Sequence, residues 1–190
     1  MKKIPTLFDR DWAGDRSRVV DTPNPAADWV FRGEGVATRK LDGTSCLVRG
    51  GVLFRRRELK AGQPTPGGFV SEGTDPETSK TVGWVPMGSG PEDAAHREAF
   101  ERLAASGNVV EGTYELLGPK VQGNPEGYTH HTLLPHALAP TFPDAPRNHA
   151  ELAAWLAGQD IEGLVFHHPD GRMAKIKLRD LGLKRRASKA

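Results

Sequence analysis

The run Val36-Ala37-Thr38-Arg39-Lys40-Leu41-Asp42-Gly43-Thr44-Ser45-Cys46-Leu47-Val48-Arg49-Gly50-Gly51-Val52-Leu53-Phe54 decides the fold class. Two strand-like stretches, Cys46–Val48 and Val52–Phe54, flank the turn signal Arg49-Gly50-Gly51, so a hairpin is expected between Val36 and Glu58. Upstream of it a strand ends on Lys40, and an acid and a glycine follow. Glycine lets the backbone turn tightly and approach a ligand closely.

Outward from this run, glycine and proline punctuate the chain. Residues 1–28 read as an irregular, extended lead-in that Phe8, Trp12 and Trp29 would pin. Residues 61–91 carry five prolines and many glycines and read as a long surface excursion, a feature often tied to function. Pro91 to Ala105 predicts a helix. Proline suits its first turn, Glu92 and Asp93 suit the positive end of its dipole, and Ala95, Phe100, Leu103 and Ala104 form a stripe. Strands are expected at Val109-Val110 and Thr113–Leu117, and 118–147 again reads as irregular. A second helix is expected from Asn148 to Leu156, capped by Asn148. Two further strands, Ile161–His168 and Met173–Leu178, surround a Pro169-Asp170-Gly171 turn. Strands, helix, strands, helix, strands is the order of an α+β domain built on antiparallel sheet. One domain over 1–190 is expected, ending in a basic tail at 183–190.

Composition narrows the function. The chain has 190 residues, 37% of them hydrophobic and 26% charged, as in an ordinary globular protein. No run of eighteen apolar residues exists, and the start is too polar for a signal-peptide core. The single cysteine, Cys46, rules out an internal disulfide and a cysteine-based zinc finger. A cytoplasmic location is expected. The net charge is only +2, but the basic residues cluster. One cluster is Arg55, Arg56, Arg57 and Lys60; another runs from Arg172 through Lys175, Lys177, Arg179 and Lys184–Arg186 to Lys189. Two such clusters suggest a polyanionic partner.

A lysine amine ordinarily titrates near ~10.4, so a nucleophilic lysine needs neighbouring charge or a metal. Lys40 in Lys-x-Asp-Gly is a candidate. Glu115 sits inside an apolar strand, between Tyr114 and Leu116, and Glu162 stands at the head of another. Lys175 and Lys177 fall on one face of a strand, because alternate residues point the same way. Two lysines on one face are costly to bury without an anion, and a triphosphate would be one. Trp84 is a candidate for stacking on a base, with a place in a satellite core as the commoner alternative. His130, His131 and His136 lack the further ligands of a zinc site.

Taken together, Lys40-x-Asp42-Gly43, Tyr114-Glu115-Leu116, Glu162-Gly163-Leu164-Val165 and Lys175-x-Lys177 resemble the ordered motifs of the covalent nucleotidyltransferase superfamily. That superfamily contains ATP-dependent RNA ligases, DNA ligases and capping enzymes. The resemblance spans about residues 36–182. Ser45 stands where DNA ligases and capping enzymes typically carry arginine. Gly118-Pro119-Lys120 and Gly83-Trp84-Val85-Pro86 resemble a small bacterial and phage group related to the T4 RNA ligase 1 type. The resemblance implies a nucleotidyltransferase (ATP-grasp-like) domain without an OB domain.

It also implies three steps. Lys40 would attack the α-phosphate of ATP and become lysyl-AMP. AMP would pass to a 5′-phosphate RNA end, and a 3′-hydroxyl would then seal the break. Lys175 and Lys177 would hold the phosphates. Arg56 would contact nucleotide or RNA phosphate, with Arg55 and Arg57 as register alternatives. Glu115 and Glu162 would serve ribose binding and metal positioning, with Asp42 nearby; Mg²⁺ or Mn²⁺ suits such carboxylates. Lys120 and His136 are candidate RNA contacts. An end-healing kinase-phosphatase partner is a further expectation. The alternatives are a DNA ligase or capping-type enzyme, or a non-catalytic RNA-binding module of the same fold.

Overall fold

A computed structural model describes residues 3–76 and 78–185. Arg186 and Lys189 of the basic tail lie outside them. In chain order the strands and α-helices are β1 (Phe8–Arg10), β2 (Val19–Pro23), α1 (Asp28–Phe31), β3 (Val36–Lys40), β4 (Thr44–Arg49), β5 (Val52–Leu59), β6 (Val70–Thr74), β7 (Thr81–Pro86), α2 (Ala94–Ala105), β8 (Gly112–Leu117), β9 (Thr132–Pro135), β10 (Thr141–Phe142), α3 (His149–Ala157), β11 (Gly163–His167) and β12 (Met173–Lys177). The architecture is α+β, and every named strand pair is antiparallel. Among the described residues no helix is long and apolar enough to cross a membrane.

The chain divides into two compact units. One is assembled from two stretches, Ile4–Leu41 and Ala139–Ala190. It holds a four-stranded sheet in the order β10-β3-β11-β12 and the small β1–β2 pair. Direct pairing puts Ala37, Leu164, Phe166, Ala174 and Ile176 on one face, and all five are buried in a core with Phe8, Trp29, Leu152 and Leu156. Where an irregular lead-in was expected, Leu7 and Phe8 anchor a hairpin in this core, while Trp12 stays exposed. Helix α3 begins as its sequence predicts: the Asn148 side chain accepts a bond from the Glu151 N–H at 2.9 Å.

The other unit is built mainly from Asp42–Leu138. It holds a six-stranded sheet in the order β6-β7-β5-β4-β8-β9. The turn between β4 and β5 is Gly50-Gly51, both at positive φ (58° and 71°), as a tight two-residue hairpin of this kind requires. Cys46, Val48, Leu53, Tyr114 and Leu116 share one core with Ala99 of α2. The 61–91 stretch differs from expectation. It supplies β6 and β7, and β7 is an inner strand with Trp84 fully buried. Its prolines sit outside or at the end of the strands, where no ladder bond is lost. Val109-Val110 is not a strand; the Val110 N–H and C=O bond the Tyr114 hydroxyl instead. The 118–147 stretch contributes β9 and β10.

Candidate functional site

In the first unit, the sheet face opposite the core carries the lysines. Lys40 of β3 and Lys177 of β12 both stand opposite Gly163 of β11, in one row across three strands. Directly paired residues point to the same side, so the two ammonium groups flank a glycine that has no side chain to separate them. Glu162, the residue before that glycine, reaches into the gap. Its Oε2 accepts from Lys40 Nζ and its Oε1 from Lys177 Nζ, each at 2.5 Å. The three side chains are 20%, 16% and 16% exposed, so the cluster is shielded but reachable. Lys40 Nζ also donates to the Leu41 carbonyl at 3.3 Å.

Gly163 is required by space. A Cβ there would stand 2.1 Å from the Ile176 carbonyl oxygen and 2.8 Å from Lys177 Cα, both backbone atoms. Only glycine lets β11 lie this close to β12 and so sets the spacing of the two lysines around Glu162.

Lys175 lies one row further, paired with Val165, on the same face. No hydrogen bond or ion pair of its ammonium is found among the described residues. Burial, with the positive charges of Lys177 and Lys40, pushes it down to about 8, against weaker opposition from Asp180 and Glu162. Burial alone would raise the Glu162 carboxyl, but Lys40 and Lys177 outweigh it and hold the group below its ordinary range. Thr38 and His167 complete the face, the Thr38 hydroxyl 3.0 Å from His167 Nε2. Alternation from Lys40 and Gly163 places both on this side of the sheet. His168, the next residue, is held by Glu34 at 2.9 Å and Asp170 at 2.8 Å.

In the second unit, strand pairing sorts the arginines. Arg55 stands opposite Cys46, on the face packed against α2, and pairs with Asp93 at 2.8 Å. Arg57 follows it by alternation and is exposed. Arg56 is on the other face, opposite Trp84, with its guanidinium 5.6 Å from that ring. Trp84 donates to Glu72 at 2.7 Å. Its burial makes it part of the fold and leaves no ring face open to a base.

Glu115 lies on the same sheet face as Arg56, opposite Ser45. Its Oε1 accepts from the Gly43 N–H at 3.1 Å and its Oε2 lies 2.8 Å from His136 Nε2. His136 Nδ1 lies 3.0 Å from the Thr113 hydroxyl. A carboxylate cannot donate, so Nε2 donates to Glu115. His136 thus orients Glu115. Gly43 is again a matter of space, since a Cβ would meet the Leu116 carbonyl oxygen at 2.2 Å. Ser45 Oγ is buried with no hydrogen-bond partner among the described residues.

Asp42 donates its backbone N–H to Glu126 at 3.2 Å. Glu126 comes from a loop with Lys120, Gln122 and Asn124 at positive φ, and no sequence pattern announced that contact. Lys120 is exposed in that loop. Among the described residues, no three His, Cys, Asp or Glu side chains group into a ready-made metal cage. Single carboxylates such as Asp42 and Glu162 suit a hard cation that keeps its waters and shares substrate phosphates.

The structure therefore defines an antiparallel α+β protein whose lysine-lined sheet face is organised around one carboxylate. The sequence relates it to RNA ligases over part of its length. It is 35% identical over 83 residues to RNA ligase 1 from Rattus norvegicus, covering 40% of this chain and 26% of that protein. It is 33% identical over 84 residues to RNA ligase 1 from Pongo abelii, and 32% identical over 85 residues to RNA ligase 1 from Danio rerio, with the same coverage. The matched stretch spans about a quarter of the length of these curated relatives. No protein-family model matches the chain.

Proposed function

We propose that this chain is an ATP-dependent RNA ligase of the nucleotidyltransferase (ATP-grasp-like) fold. The observation that carries the reading is the row Lys40–Glu162–Lys177 with the unpartnered Lys175 beside it, in a chain that shares a region with RNA ligases. Lys40 is the nucleophile. Its Nζ, once deprotonated, attacks the α-phosphorus of ATP. The N–P bond forms, the bond to pyrophosphate breaks, and the product is lysyl-AMP. AMP then moves to the 5′-phosphate of an RNA end, and a 3′-hydroxyl displaces it to form the new phosphodiester.

The arrangement supports each demand of the first step. Charge builds on the phosphates, and cations fixed before the reaction need no reorganisation. Lys177 is locked by Glu162, and Lys175 awaits an anion. Glu162 is held ionised, so it serves as an anchor for the Lys40 ammonium and not as a proton store. Glu115 is assigned to the ribose, with His136 as the residue that positions it, and Arg56 is preferred over Arg55 and Arg57 for a phosphate. A divalent cation, Mg²⁺ or Mn²⁺, would be held by ATP phosphates with Asp42 or Glu162, and would supply charge neutralisation on the departing pyrophosphate.

The test is sealing of an RNA bearing a 5′-phosphate to one bearing a 3′-hydroxyl, run with ATP or GTP and with matched DNA. The expected result is sealing of RNA with ATP. A GTP requirement, or preference for DNA ends, would move the chain to the capping or DNA-ligase branch. Binding of RNA without sealing or nucleotide transfer would leave a non-catalytic module.

A further inference from the structure

We propose that the loop between β1 and β2, residues 11–18, is a stacking site for unpaired RNA bases. Trp12 would supply the ring and Arg16 and Arg18 the flanking cations. The inference rests on the RNA-ligase reading, which supplies the polymer.

Trp12 is 56% exposed, while Trp29 and Trp84 are buried at 1% and 0%. Trp155 is partly buried and packs edge-on against Phe142. A solvent-facing indole contributes little to the core, and this one is held in place. Asp11 accepts from the N–H of Gly14 at 2.8 Å and of Asp15 at 3.2 Å. Asp15 accepts from the N–H and hydroxyl of Ser17 at 2.9 and 2.7 Å. The Trp12 N–H bonds the Arg10 carbonyl at 2.9 Å. The acids of the loop bond its own backbone, and Asp15 also pairs with Arg18 at 3.2 Å, while Trp12, Arg16 and Arg18 are exposed. The Arg16 guanidinium lies 5.7 Å from the indole centroid.

The loop is tied to the strand that carries Lys175 and Lys177. Before β1 the chain runs parallel to β12, with Lys175 bonded to Pro5 and Leu7 at 2.9 and 2.8 Å. Arg10 then reaches the buried Asp180 at 2.8 Å, and the other oxygen of Asp180 accepts the Lys177 N–H at 3.0 Å. On the return, Arg18 lies against Gly182: its Nη1 is 2.7 Å from where a Cβ there would stand. Arg179 and Lys184, both exposed, flank that glycine. The indole therefore stands on an internally hydrogen-bonded loop beside a basic segment that continues from the strand of Lys175 and Lys177.

The occupant follows from the surroundings. Trp12 is the single large apolar side chain between Asp9 and Arg18, which is too little for the core of a protein interface. One aromatic ring with neighbouring cations suits one base and its phosphates, and such stacking tolerates any base. Stacking would be expected to weaken on removal of the ring by about tenfold in affinity.

The experiment uses the full chain and a single-stranded RNA with a 5′-phosphate, followed by direct binding and by tryptophan fluorescence, since Trp12 is the most solvent-facing of the four indoles. Trp12→Ala and Trp12→Phe are compared, with transfer of label from α-labelled ATP to the chain as a control. The proposal expects quenching on RNA binding, about tenfold weaker binding for Trp12→Ala, most of the affinity restored in Trp12→Phe, and unchanged labelling in both. Labelling in all three proteins with equal RNA affinity would overturn the stacking site and leave the ligase reading standing. Loss of labelling in Trp12→Ala would assign the ring a structural role and also overturn it. Absence of both labelling and RNA binding in the wild type would bring down the ligase reading itself.

Discussion

Lys175 shows how far single residues can be read. The alternation Lys175-x-Lys177 predicts two lysines on one face, and the structure adds that one is locked by Glu162 while the other makes no ion pair among the described residues. Its pH consequence has a definite sign. With a folded value of about 8 against an ordinary 10.5, the native state gives up this proton first. Between those values the unfolded chain holds more protons, so stability rises with pH across that window. Below about pH 8 the burial penalty is fully present. Lys175→Met is therefore expected to stabilise the fold at pH 7 by about 1–3 kcal/mol, with the advantage shrinking from pH 8 to 10. Thermal denaturation across that range checks it, and a destabilised variant at pH 7 would contradict it. The same variant should bind ATP more weakly, the opposing signs expected of a functional group held at a cost to stability. Other residues were not legible. The choice among Arg55, Arg56 and Arg57 depends on which face of β5 meets α2, and three consecutive arginines carry no such signal. His136 was read as an RNA contact, but its link to Glu115 arises only when β8 and the turn after β9 come together.

At the scale of elements, local chemistry announced what it controls. Gly50-Gly51 specified the β4–β5 turn, Asn148 the start of α3, and Pro91 with its following acids the approach to α2. Strand β7 was hidden because glycine and proline surround it, and its burial comes from partners on both sides, Val70 and Arg56 flanking Trp84. Strand β1 was hidden for the same reason: its three residues are too few to show a period, and its core contacts are distant in sequence. The Glu162-Gly163 pair was visible as a motif, but its physical reason was not. Gly163→Ala places a methyl against the backbone of β12, so it should lower the melting temperature by several degrees, an overpacking cost of about 1–3 kcal/mol, and part the strands that set the lysine spacing. Calorimetry reads this directly; an unchanged melting temperature would mean that the approach of β11 to β12 is looser than the structure has it.

For the whole molecule, the order of motifs in sequence carries information that no single strand does. Lys40 belongs to a unit made from both ends of the described chain, and among the described residues β3 pairs with β10 and β11, about a hundred residues later. The segment between them builds a sheet of its own that carries Glu115 and Arg56. Lys40 meets Glu162 and Lys177 from the far end of the sequence because the topology closes that unit around them. On the reading proposed above, this row makes Lys40 a nucleophile toward ATP. It is tested most directly by incubating the full chain with α-labelled ATP and Mg²⁺ or Mn²⁺, denaturing it, and looking for label that stays on the protein. Label is expected on the wild type and none on Lys40→Ala. No label from any nucleoside triphosphate, on folded protein that mass spectrometry shows is not already adenylylated, would contradict it.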